Sequence, residues 1–136
     1  MAKKYLFYFL ILSFGFSGCE KNPYFQFEST VSKKIQRRWE LVRVNPAEIA
    51  QEWVFNDGKV YRIGTAKIPN DTLDVGTYSV STSISEADLF INNFKIANYL
   101  NTRFTISTLD DDALVIIGVD GSTNAGTVYR EFVAKK

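Results

Sequence analysis

Few residues in this chain have the type and spacing to do covalent or acid–base chemistry. Histidine is absent from all 136 residues, which removes the commonest general base, any serine–histidine pair and most zinc sites. Carboxylates remain, and Asp110, Asp111 and Asp112 form the densest group. Consecutive residues at a hairpin tip diverge in direction, and a calcium loop needs ligands spaced along a wrapping segment with glycine at its bend. The triplet therefore reads as a solvated turn, as do Asp57-Gly58 and Asp120-Gly121. The lone Ser, Thr and Tyr residues have no recognisable activating partner. The residues point to no enzyme, no metal site and no cofactor.

The single cysteine, Cys19, stands in a different context. Lys3 and Lys4 precede an apolar run from Tyr5 to Phe16 that ends in Ser17, Gly18 and Cys19, the layout of a secretory signal peptide with its small-residue cleavage site. The run is shorter than the roughly 20 apolar residues of a membrane-spanning helix. Phe16-Ser17-Gly18-Cys19 resembles the lipobox of bacterial lipoproteins, which implies cleavage after residue 18 and acylation of Cys19 with chains such as palmitate. Each buried methylene adds about 0.8 kcal/mol, so two or three acyl chains anchor where one would let go. The expected address is the cell envelope, lipid-anchored at the outer membrane. With one cysteine in the chain, an internal disulfide is excluded.

Charge excludes little else. Sixteen Lys and Arg stand against fifteen Asp and Glu, without the basic bias of a nucleic-acid binder, and export argues against that partner as well. Lys33, Lys34, Arg37 and Arg38 cluster near the tether. Their spacing suits one face of a short helix beside anionic head groups, or a solvated linker face.

The mature chain has the size of one domain. Residues 19–35 read as tether and linker with a turn of helix around Ile35, and 36–136 as the domain. Period-two alternation recurs between short Gly, Asn, Asp and Ser clusters. Trp39 and Leu41 share a face that could extend to Arg43, Trp53 and Phe55 share the next, and Asp57-Gly58 marks a tight hairpin. Tyr78 and Val80, Leu89 and Ile91, Phe104 and Ile106, and a last strand over Thr127–Ala134 continue the pattern, with Phe94–Leu100 ambiguous between strand and helical turn. No amphipathic helix of crossover length interrupts it. The fold class is all-β, an antiparallel up-and-down barrel of about eight strands that removes its sheet edges by closing; a two-sheet β-sandwich is the alternative.

The order Arg38-Trp39-Glu40-Leu41, Glu52-Trp53-Val54-Phe55-Asn56-Asp57-Gly58-Lys59, Gly76-Thr77-Tyr78-Ser79-Val80, Phe104-Thr105-Ile106, Leu109 to Ile116 and Tyr129-Arg130-Glu131-Phe132 resembles the lipocalin-like domain lipoproteins of Bacteroidota-type bacteria. The resemblance implies a small barrel with a Trp near its first strand, a basic residue on its last, and a small apolar ligand inside. Such a ligand would touch Trp53, Phe55, Tyr78 and Phe104, which alternate onto the interior face. Closure would bring Arg130 of the last strand over Trp39 of the first. A second reading is a barrel filled by its own side chains that engages an envelope protein or glycan through its surface. Interior bulk decides between them. Trp39, Leu41, Trp53, Phe55, Tyr78, Phe104, Ile106 and Phe132 all point inward, and so many large rings favour filling.

Overall fold

The computed structural model describes residues 27–66, 70–123 and 126–136. Cys19 and the expected signal peptide lie outside the described residues. A helix, α1 (Glu28–Ile35), leads into eight strands: β1 (Arg38–Leu41), β2 (Gln51–Asn56), β3 (Lys59–Gly64), β4 (Asp71–Thr82), β5 (Ala87–Asn92), β6 (Arg103–Leu109), β7 (Ala113–Val119) and β8 (Thr127–Ala134). Each strand pairs antiparallel with the next, and β8 returns to β1 with Trp39 opposite Ala134 and Leu41 opposite Phe132. The sheet is thus a closed barrel and not a sandwich.

Local chemistry explains most of these elements. Asp57 and Gly58 both take positive φ, 47° and 75°, the conformation of a type I′ turn whose twist matches the two strands it joins. Asp110 accepts the backbone N–H groups of Asp112 and Ala113 at 2.8 and 2.7 Å, closing the β6–β7 hairpin. Phe94–Leu100 is neither strand nor regular helix. It belongs to a connecting segment, 93–102, that ends in a short 3₁₀ turn over Asn98–Leu100.

One end of the barrel is plugged by α1. Val31 and Ile35, four residues apart on one helix face, are buried, and the helix packs against β4 and β6. The Ile35 carbonyl accepts the indole N–H of Trp39 at 2.9 Å. Val31 and Ile35 thus belong to the same core as the strands. The four basic residues between 33 and 38 separate accordingly. Lys33 and Lys34 end the helix, whereas Arg37 stacks on Trp39 and Arg38 opens β1.

The core is aromatic and continuous. Trp53 lies 5.1 Å from Phe132, 5.9 Å from Phe94 and 6.2 Å from Phe55, and Phe55 meets Tyr78 edge-on at 5.1 Å. Phe104 packs on β7 where Gly118 stands opposite it, and a Cβ there would sit 2.7 Å from the ring. The seam is fastened on the outside as well. Glu52 points outward from β2 yet is only 1% exposed, covered by Lys135, whose ammonium donates to Oε1, and by Arg38, whose Nη1 is 3.5 Å from Oε2.

Candidate functional site

Trp53, Phe55 and Phe104 are 1%, 1% and 0% exposed, which leaves no water-sized space beside them, as in any close-packed interior. Tyr78 is half-buried and packs against the same cluster; burial pushes its phenol pKa up. The four residues expected to line a ligand are brought together, but as packed core.

Trp39 and Arg130 are not brought together. The guanidinium over Trp39 is that of Arg37, 5.3 Å from the ring centroid, which also donates to the Asp111 carbonyl at 2.8 Å. Arg130 faces inward as its alternation requires, but register sets it at the wrong height. Ala134 is the residue opposite Trp39, and Arg130 lies four residues away along β8, a strand distance of about 13 Å.

Arg130 instead reaches the end of the barrel opposite α1, where inward-facing polar residues gather. Each arrives by the same alternation that builds the core. Gln51 precedes Trp53 and Phe55 on the inner face of β2, Arg62 lies between Val60 and Gly64 on β3, and Arg130 lies between Val128 and Phe132 on β8. Gln51 Oε1 accepts from the indole N–H of Trp53 at 3.1 Å and from Arg62 Nε at 3.0 Å. The Arg62 guanidinium sits 5.8 Å from the centre of the Phe94 ring. Burial lowers its pKa, opposed by Tyr99, Asp74 and Glu48 and reinforced by the like charge of Arg130; an arginine nevertheless stays cationic at neutral pH. Arg130 donates to the Tyr99 hydroxyl at 3.2 Å and to the Tyr129 carbonyl at 2.9 Å, with the Glu48 carboxylate 3.8 Å away.

Segment 93–102 is held over this end by one carboxylate. Asp74 is 7% exposed and accepts the N–H groups of Val75, Lys95, Ile96 and Ala97 at 2.9–3.1 Å. Burial pushes its pKa up, but the four donors together outweigh it and hold the carboxyl below its usual value. Asn101 clamps the base of the segment by bonding both the N–H and the carbonyl of Phe94, at 2.8 and 2.9 Å.

A cavity of about 130 Å³ is lined by Ile49, Gly64, Ala66, Asp71 and Leu73, and neither arginine is among its lining residues. A wider groove of about 480 Å³ crosses the outer wall past Arg103, Thr105, Ile117 and Val119, where Arg103 is already paired with Glu86 and Asp88 at 3.0 and 2.9 Å. Among the described residues no cluster of three metal-ligating side chains exists. The end opposite α1 thus gathers positive charge and hydrogen-bond donors, fit for recognition of a polar group.

Gln51, Arg62 and Asp74 were within reach of sequence reasoning, because each interrupts an otherwise apolar inward face. Tyr99 and Glu48 lie in connections, where alternation says nothing. Comparison of the chain with protein-family models, with curated proteins and with solved structures yields no match.

Proposed function

We propose that the protein is an envelope lipoprotein, tethered through acylated Cys19, whose lipocalin-like barrel is a filled interaction module that meets its partner at the end opposite α1. The observation that carries this is the division of the interior. Apolar rings at 0 or 1% exposure occupy the middle, whereas Gln51, Arg62, Asp74 and Arg130 face inward only at the end opposite α1. The tether supports the same reading. Cys19 and Phe27 are eight residues apart, a reach of at most about 29 Å, and the chain enters at the plugged end. A membrane anchor there leaves the polar end facing away from the bilayer, toward an envelope protein, a glycan or a small molecule.

The test is titration of the protein with a neutral apolar fluorescent probe while tryptophan emission is followed. A filled barrel takes up no probe saturably. Saturable uptake that quenches Trp53 and is altered by Phe55→Leu would restore the interior-ligand reading and sink this one.

A further inference from the structure

Among the described residues, β7 is the one strand that is apolar on both faces. It turns Leu114 and Ile116 inward, and outward Ala113, Val115, Ile117 and Val119, a row without a polar side-chain atom. Every other strand turns at least one polar or charged residue outward. A strand of this composition is ordinarily covered on both sides, yet Ile117 is 39% and Val119 49% exposed. The apolar surface continues onto β8, where Tyr129 is 42% and Val133 44% exposed. Single apolar residues on a surface are normal, whereas a contiguous set marks a contact face.

Register gives this face its shape. Thr105 of β6, Ile117 of β7 and Tyr129 of β8 lie side by side in one row across the sheet. Thr105 and Ile117 line the outer-wall groove, and Tyr129 lies beside it. The polar groups around the row already have partners. Tyr129 donates its hydroxyl to Glu131 at 3.1 Å, and Arg103 is held by Glu86 and Asp88. Covering the row therefore leaves none of these groups without a partner.

We infer that a second copy of the chain covers this face, in a twofold dimer with β7 packed on β7. An uncharged apolar row is complementary to itself, and a twofold interface brings the same surface together from both sides. Two axes in the plane of contact pass through Ile117. An axis across the strands sets Tyr129 on Tyr129 and groove on groove. An axis along β7 exchanges β6 with β8, so Tyr129 of each copy lies over Thr105 of the other and fills the groove. The same axis sets Arg103 opposite Thr127 and Glu131 opposite Thr108, so no like charges meet. It also points both α1 ends the same way, as two copies anchored in one membrane require. That last agreement rests on the tether through Cys19, whereas shape and charge select the axis without it. The end opposite α1 stays free in both copies.

Cross-linking of co-expressed, differently tagged full-length variants in intact cells tests this, with a short bismaleimide that spans the roughly 10 Å between facing sheets. Thr105→Cys and Tyr129→Cys copies should cross-link with each other well above either variant with itself. Ser79→Cys, exposed on β4 at the far side of the barrel, should give no such product with Tyr129→Cys. Adding Ile117→Lys to both copies should abolish the product with thermal unfolding unchanged, because two ammonium groups then meet on the axis. Val119→Lys, at the more exposed position, should do the same if Ile117→Lys folds poorly. Self-cross-linking of Tyr129→Cys at the level of the mixed pair, equal yield with Ser79→Cys, or a product indifferent to both lysine changes overturns the dimer. The wild type, whose one cysteine is Cys19, is the blank. A product there marks an unacylated thiol and counts against the tether, while the excess of the mixed pair over that blank still decides the dimer.

Discussion

Removing the Phe104 ring is the sharpest probe of whether this barrel is solid. The residue is 0% exposed and sits in register between Leu89 on β5 and Gly118 on β7. Burying such a ring contributes about 1.5 to 3 kcal/mol by transfer from water. Phe104→Ala also leaves a void, and its walls are poorly able to close it. Gly118 has no side chain to move in, and Leu89 belongs to a strand paired on both sides. The total should therefore reach about 3 to 5 kcal/mol, a large part of the 5 to 15 kcal/mol that holds a typical domain together. For a domain of this size the midpoint should fall by roughly 10 to 20 °C. Thermal and urea unfolding followed by far-UV circular dichroism measure both quantities. A loss below about 1 kcal/mol, the cost of a site that lacks close packing, would refute the reasoning.

Cys19→Ala should abolish incorporation of labelled fatty acid and release the protein from the membrane fraction; continued labelling of the variant, or none in the wild type, removes the anchor from the proposal. Asp74→Asn should cost about 1 to 3 kcal/mol and speed amide exchange at Ile96 and Ala97. Because the folded pKa of Asp74 lies below its usual value, its contribution is complete above about pH 4 and fades as pH falls through the lower folded value, so the variant should show a flatter acid limb of stability than the wild type. Lys135→Ala should destabilise by about 1 to 3 kcal/mol, since Glu52 at 1% exposure then keeps only Arg38 as a charged partner; an unchanged midpoint would mean that the carboxylate gains water at no cost.

Much of this fold is written locally. Alternation assigns Trp39, Leu41, Trp53, Phe55, Phe104, Ile106 and Phe132 to one face, and all seven are buried. Asp57-Gly58 specifies its hairpin because positive φ is a property of the residues themselves. The connection 93–102 was less legible, since its shape is imposed from 21 to 23 residues away, where Asp74 collects its N–H groups. Glu52 illustrates a second limit. It alternates outward as a strand glutamate should, and is buried by Arg38 of the neighbouring strand together with Lys135, 83 residues further along the chain.

By itself the sequence determined which side of the sheet each residue occupies, because that depends only on a two-residue period. Tertiary structure alone decided at what height each inward residue sits, because height follows from the register with which β8 closes on β1. Opposition of Trp39 to Ala134 leaves Trp39 to Arg37, its neighbour two residues away, and sends Arg130 to the far end with Tyr99. A slip of that register would keep the barrel and its aromatic core chemistry, but not the cluster at the end opposite α1.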